Sequence, residues 1–203
     1  MITSGGDGIG TGMLEVRNLP IADVLELRPR RIGDERGFFS ETFNQARFAA
    51  AGIDTAWVQD NQSFSQAPLT LRGLHYQAPP FAQAKLVRVL RGRAFDVAVD
   101  IRAGSPTFGR WVSLELSAEA FNQILIPIGF AHGILTLEPD TEIFYKVSAP
   151  YSAAHDRTIR YDDPAFGVAW PLDGAKPLLS PKDEAAHGLA ATGTPFSFAG
   201  TAP

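Results

Sequence analysis

A chain of 203 residues that is 45% apolar can bury the core of one domain, and it holds no apolar run of the roughly eighteen residues that mark a membrane span. Its formal net charge of −4, with both signs interspersed, excludes the basic footprint of a nucleic-acid binder, and the absence of cysteine excludes a disulfide framework and thiolate chemistry. The N-terminus has neither the basic nor the apolar region of a secretory leader, so the sequence predicts a soluble cytoplasmic protein.

The first twelve residues, MITSGGDGIGTG, are glycine-rich and aperiodic, and are expected to form a flexible tail ahead of a single domain spanning 13–203. A first strand is predicted over Val24–Pro29. A turn at Gly33-Asp34 then leads into an aromatic strand carrying Arg36 and Glu41. Asn44 is placed to cap a short alanine-rich helix over Gln45–Ala51 that Gly52 would end. Trp57–Phe64 begins apolar and turns polar. The stretch Leu71–Asp100 then sets charged residues into strand-like alternation: Lys85, Val87 and Val89 share one face, and Asp96, Ala98 and Asp100 share one face of the next strand. With Arg91-Gly92-Arg93 between them, these two runs are predicted to form a hairpin. Further strands are expected over Arg110–Leu116, Gln123–Pro127, Phe130–Leu137 and Thr141–Ser148, the last with Thr141, Ile143, Tyr145 and Val147 on one face. A short strand and an Asp162-Asp163-Pro164 turn follow. Strands at intervals of about ten residues, with glycine and proline between them, predict an all-β fold: a double-stranded β-helix, or jelly roll, with a few short helices.

Several residues carry chemistry if the fold brings them together. His75 in an apolar strand is compatible with a hydrogen-bonded core imidazole or with a base, but Lys85 between valines pays a desolvation cost that structural roles seldom justify. His132 lies between close-packing glycines, Tyr145 sits among β-branched residues, and Asp183 follows a proline-bounded turn. No metal is expected. His75 has no His-x-His partner, and the lysine and arginine around it oppose a divalent cation. No phosphate-binding glycine loop and no Gly-x-Ser-x-Gly elbow occurs, so neither nucleotide-fold enzymes nor serine hydrolases fit.

The ordered succession Asp34-Glu35-Arg36-Gly37-Phe38-Phe39-Ser40-Glu41, Gln59-Asp60-Asn61, Arg72-Gly73-Leu74-His75-Tyr76-Gln77, Gln83-Ala84-Lys85, Asp96 to Arg102, Gly104 to Gly109, Pro127 to Gly133, Tyr145-Lys146, Asp163-Pro164 and Ser180-Pro181-Lys182-Asp183 resembles the dTDP-4-dehydrorhamnose 3,5-epimerases, over about Leu25 to Asp183. The resemblance implies a cupin-type jelly-roll barrel that needs no cofactor and inverts C3 and C5 of dTDP-4-dehydro-6-deoxyglucose, each carbon adjoining the C4 ketone. It implies His75 as the base, Asp183 as its orienting carboxylate, Lys85 beside the enolate oxygen and Tyr145 as the acid on the opposite face. Arg36 and Arg72 would meet the pyrophosphate and Gln59, Asn61, Phe39 and Glu41 the thymidine end, with Asp96, His132 and Lys182 as further pocket residues. It also implies a homodimer in which the segment around Arg36–Glu41 reaches into the neighbouring subunit's site. Tyr76 and Ile134 stand where the family commonly has phenylalanine. A single-centre epimerase is the alternative within this chemistry; a metal-dependent cupin oxygenase or a non-catalytic nucleotide-sugar binder is the alternative outside it.

Overall fold

The computed structural model describes residues 9, 10 and 12–199. Two antiparallel sheets face each other. One holds seven strands in the order β1 (Ile9–Gly10), β2 (Leu14–Asn18), β3 (Leu25–Pro29), β11 (Gln123–Ile126), β8 (Lys85–Arg91), β13 (Thr141–Val147), β6 (Gln59–Ser65). The other holds five: β10 (Trp111–Ser117), β9 (Arg93–Asp100), β12 (Phe130–Thr136), β7 (Leu71–Gln77), β14 (Asp156–Thr158). A small ribbon of β4 (Ile32–Asp34) and β5 (Gly37–Phe39) stands apart from both. The jelly-roll expectation is met.

The predicted hairpin is not. β8 and β9 belong to different sheets: β8 pairs with β11 and β13, while β9 pairs with β10 and β12. The chain turns a corner at Gly92, whose φ of +79° suits glycine and where an added Cβ would come within 2.5 Å of the Thr141 hydroxyl. Local alternation identifies a strand without naming its partner, and a jelly roll sends consecutive strands to opposite walls. The first strand also comes earlier than expected, since β2 precedes β3 and pairs with it from Leu14↔Pro29 to Asn18↔Leu25. Within the expected tail, Ile9–Gly10 pair with β2; residues 1–8 and 11 lie outside the described residues.

The face assignments hold. Val87 and Val89 of β8, Ala94 and Ala98 of β9, Ile134 of β12 and Ile143 of β13 pack together between the sheets, with Tyr145 against them. Val97, Val99 and Ile101 point the other way and are covered by Ile159, Phe166 and Phe196 from the chain after the barrel. Both faces of the five-stranded sheet are therefore buried, so that Asp96, on the face with Ala98, is fully enclosed. Behind the seven-stranded sheet, Leu86, Leu27 and Leu125 pack against Phe48 of α1 (Gln45–Ala50), a helix capped by the Asn44 side chain accepting the Arg47 N–H at 3.2 Å. Two further short helices, α2 (Pro181–Glu184) and α3 (Leu189–Thr192), follow the barrel. No helix among the described residues is long and apolar enough to cross a membrane.

Candidate active site

One end of the space between the sheets stays open as a cavity of about 270 Å³, lined by Arg72, His75, Lys85, His132, Tyr145 and Asp183 over an apolar floor of Val87, Ile134 and Ile143. It continues outward into a polar mouth bounded by Gln59, Asn61, Gln83, Tyr151, Asp156 and Lys182, with His75, Lys85 and Tyr145 common to both parts. The two walls contribute different groups. Arg72 and His75 come from β7 and His132 from β12, in the five-stranded sheet. Lys85 comes from β8 and Tyr145 from β13, in the seven-stranded one. Imidazole and phenol thus hang from opposite walls.

His75 donates its Nε2 proton to Asp183 Oδ1 at 2.5 Å, which leaves Nδ1 as the nitrogen with a free lone pair. Asp183 is delivered from outside the barrel by α2, whose cap Ser180 donates its hydroxyl to Asp183 Oδ2 at 2.7 Å and accepts the Asp183 N–H at 3.2 Å. Burial pulls the His75 pKa below its ordinary value, against the pull of the Asp183 carboxylate and with the help of the charges on Lys85 and Lys182. Burial alone would raise Asp183, but its bonds to His75 and Ser180 and the nearby Lys182 outweigh it and hold the carboxyl below its usual range. The pair at rest is a neutral imidazole on an ionised carboxylate, the protonation state of a base ready to accept a proton.

A second pair stands next to the first. His132 is the register partner of His75 across β12 and β7, and its Nε2 lies 3.0 and 2.9 Å from the two carboxylate oxygens of buried Asp96. Close approach of these strands depends on glycine. A Cβ on Gly73, at φ +136°, would sit 2.6 Å from Gly133 Cα and 2.7 Å from the His132 carbonyl oxygen. On the facing wall, burial drives the Lys85 ammonium down to about 8, opposed by Asp96 and Asp156, so that it is a cation held in a place that penalises cations. Burial raises the Tyr145 phenol, with Asp156 adding to the shift and Arg72 opposing it, so the hydroxyl keeps its proton throughout the neutral range. A poised base, a protonated acid on the opposite wall and an ammonium lining the same cavity can move a proton from one face of a carbon to the other and stabilise an enolate in transit.

Of the residues singled out in the sequence, His75, Lys85, Tyr145, Asp183, Gln59, Asn61, Arg72, His132 and Lys182 line this cavity, and Asp96 lies directly behind it. Arg36, Phe39 and Glu41 do not reach it. Arg36 is exposed and bonded to Asp34, Phe39 is 69% exposed, and Glu41 accepts a 2.6 Å bond from Arg47. The sequence reading missed Gln77, Gln83, Tyr151 and Asp156. Asp156 holds Lys182 at 2.5 Å, and Tyr151 projects at the mouth beside Gln59. Neither position stands out in the pattern, because Tyr151 lies where the chain leaves strand alternation after β13 and Asp156 opens the three-residue strand β14, too short to show a period.

The profile of the family described as dTDP-4-dehydrorhamnose 3,5-epimerase matches residues 18–191. The enzyme of that name from Sinorhizobium fredii is 52% identical over 182 residues, 90% of this chain and 93% of that protein. Among solved structures, a dTDP-6-deoxy-D-glucose-3,5-epimerase from Legionella pneumophila in complex with dTDP-4-keto-L-rhamnose is 45% identical with a TM-score of 0.86, covering 92% of this chain and 100% of that one. A dTDP-4-dehydrorhamnose 3,5-epimerase from Bacillus anthracis with TDP and pyrophosphate bound is 43% identical with a TM-score of 0.84, covering 87% and 99%. A match running through every strand that supplies a cavity residue leaves one assignment: this chain belongs to the dTDP-4-dehydrorhamnose 3,5-epimerase family.

Proposed function

We propose that the chain is an isomerase that inverts C3 and C5 of dTDP-4-dehydro-6-deoxyglucose to give dTDP-4-dehydrorhamnose, using only its own side chains. The C4 ketone acidifies the protons on both neighbouring carbons. Neutral His75 removes one of them at Nδ1, and Asp183 stabilises the imidazolium that results. The electron pair moves onto the C4 oxygen, where the Lys85 ammonium meets the developing negative charge; a donor in such a position typically contributes about 10²–10³ in rate. Tyr145 returns a proton from the opposite face, which inverts the carbon. Solvent then resets both groups before the second centre reacts. His132, backed by Asp96, flanks the sugar, and Val87, Ile134 and Ile143 offer an apolar surface to its C6 methyl. Arg72 and Lys182 meet the pyrophosphate, and Gln59, Asn61 and Tyr151 face the nucleoside end.

The observation that carries this reading is the base and the acid hanging from opposite walls, since a proton returned from the His75 side would restore the starting configuration. A homodimer in the cytoplasm belongs to the same proposal. The β4–β5 ribbon, with Arg36, Phe39 and the following Glu41, serves the partner's nucleotide site, and its exposed Ile32, Phe38 and Phe39 are the surface that pairing would cover. The test is turnover in D2O. Deuterium at C3 and C5 with inversion at both is the expected result. Inversion at one carbon would reassign the chain as a single-centre epimerase, and no exchange with the nucleotide sugar bound would refute the activity.

A further inference from the structure

Gln77 lies two residues beyond His75 on β7 and is 4% exposed; it borders the polar mouth, yet its side-chain hydrogen bonds go to none of the catalytic groups. Its side chain is spent on two loops. Nε2 donates to the Phe81 carbonyl at 2.7 Å and to the Pro150 carbonyl at 3.1 Å, and Oε1 accepts the Ser152 N–H at 2.6 Å. Only a primary amide, with two donors and an acceptor on one planar group, can make these three bonds at once. The residue between Pro150 and Ser152 is Tyr151, which is 60% exposed at the cavity mouth.

The peptide unit before Tyr151 is held at its carbonyl by Gln77 and at its N–H by Gln59 Oε1, at 2.9 Å. The peptide unit after it is held at the Ser152 N–H by Gln77 again. Fixing the planes on both sides of a residue fixes its φ and ψ, and with them the direction of its Cα–Cβ bond. Gln83 extends the brace by one residue, donating to the Ala149 carbonyl at 2.7 Å. We propose that Gln77 is a positioning residue for nucleotide binding: it sets the backbone of Tyr151 and so presents to the base of the substrate a ring whose hydroxyl reaches Asp156 Oδ2 only at 3.4 Å. This rests on the nucleotide-sugar reading above. An aromatic face pre-set at the rim binds a planar base without first losing loop entropy, so loss of the brace weakens binding and leaves the proton transfers unchanged.

Gln77→Ala removes all three bonds, and Gln77→Glu keeps the acceptor while losing both donors. For either variant KM and the dTDP dissociation constant from calorimetry should rise, about tenfold for Gln77→Ala, with kcat within about twofold and its pH profile unmoved. Adding Tyr151→Ala to Gln77→Ala should cost no more than Tyr151→Ala alone, since both act through one ring. A fall in kcat at constant KM, or fully additive losses, would overturn the assignment. If Gln77→Ala does not fold, Gln77→Glu carries the same comparison. Amide exchange without ligand supplies a readout independent of substrate: the Ser152 amide should exchange faster in Gln77→Ala, or that of Tyr151 in Gln77→Glu, and exchange at the wild-type rate would refute the brace. Wild-type protein that binds no dTDP would instead refute the nucleotide-sugar reading, leaving the exchange result to decide on Gln77.

Discussion

Replacing Asp183 by asparagine keeps the size of the group and removes its charge, which isolates what the carboxylate does for His75. The imidazole is 27% exposed and the carboxylate 3%, so an effective dielectric near 20 is more apt than that of water. With charge centres about 4 Å apart, the imidazolium formed in the reaction is stabilised by about 4 kcal/mol. A transition state in which the proton is half to fully transferred feels about 2–4 kcal/mol of this, and kcat should fall by about 30- to 1000-fold. The dissociation constant for dTDP should stay within about twofold, because the phosphates and the base are held elsewhere. The pH profile supplies a sign as well as a size. The carboxylate raises the His75 pKa against burial, so its loss lowers that pKa further and moves the acid limb of kcat/KM to lower pH. Initial rates of deuterium wash-in at C3 and C5, followed by NMR across the acidic range, measure both. A kcat within about threefold of wild type, or an acid limb displaced to higher pH, would refute the pairing of Asp183 with a base.

Tyr145→Phe should leave deuterium exchange at the acidified carbons measurable while inversion falls by about 10²–10⁴, so that label enters with retained configuration; inversion at the wild-type rate would exclude Tyr145 as the acid. Activity should decline as pH rises through about 8, where Lys85 loses its proton while the raised Tyr145 phenol keeps its own, and Lys85→Arg should move that basic limb upward; a limb unmoved by the change would assign it to another group. If the β4–β5 ribbon serves the partner's site, mixing inactive His75→Ala with weakly binding Arg36→Ala protein should restore about a quarter of wild-type activity, because half the dimers are mixed and one site in each has both residues. Failure to regain activity, with subunit exchange shown by mass spectrometry, would place Arg36 in its own subunit's service.

The strands of the barrel walls were legible because two faces with different surroundings write themselves into alternation: Lys85, Val87 and Val89, or Ile143 and Tyr145, share a face in sequence and in space. What alternation does not carry is which strand lies beside which. β8 and β9 read as a hairpin because they are adjacent in the chain, whereas the partners of β8 are β11, downstream by more than thirty residues, and β13. Strand β2 was missed because its outward residues Glu15, Arg17 and Asn18 dilute a five-residue signal. Lys85 was conspicuous in the sequence through its desolvation cost. Asp183 was not, since a carboxylate on a one-turn helix looks like any cap, and only the family resemblance paired it with His75. Gln77 escaped because a buried amide whose bonds all go to loop backbone leaves no periodic trace.

The bond between His75 and Asp183 joins residues 108 positions apart, and it closes a circuit that contains most of the barrel. Bringing such distant points together costs on the order of 4 kcal/mol of chain entropy, which local contacts cannot offset until the intervening strands have already ordered. Competence for proton abstraction is therefore one of the last properties a refolding chain acquires. Recovery of turnover should lag behind recovery of β-sheet signal, which makes the epimerase reaction a clock for the docking of α2 onto a barrel that is otherwise complete.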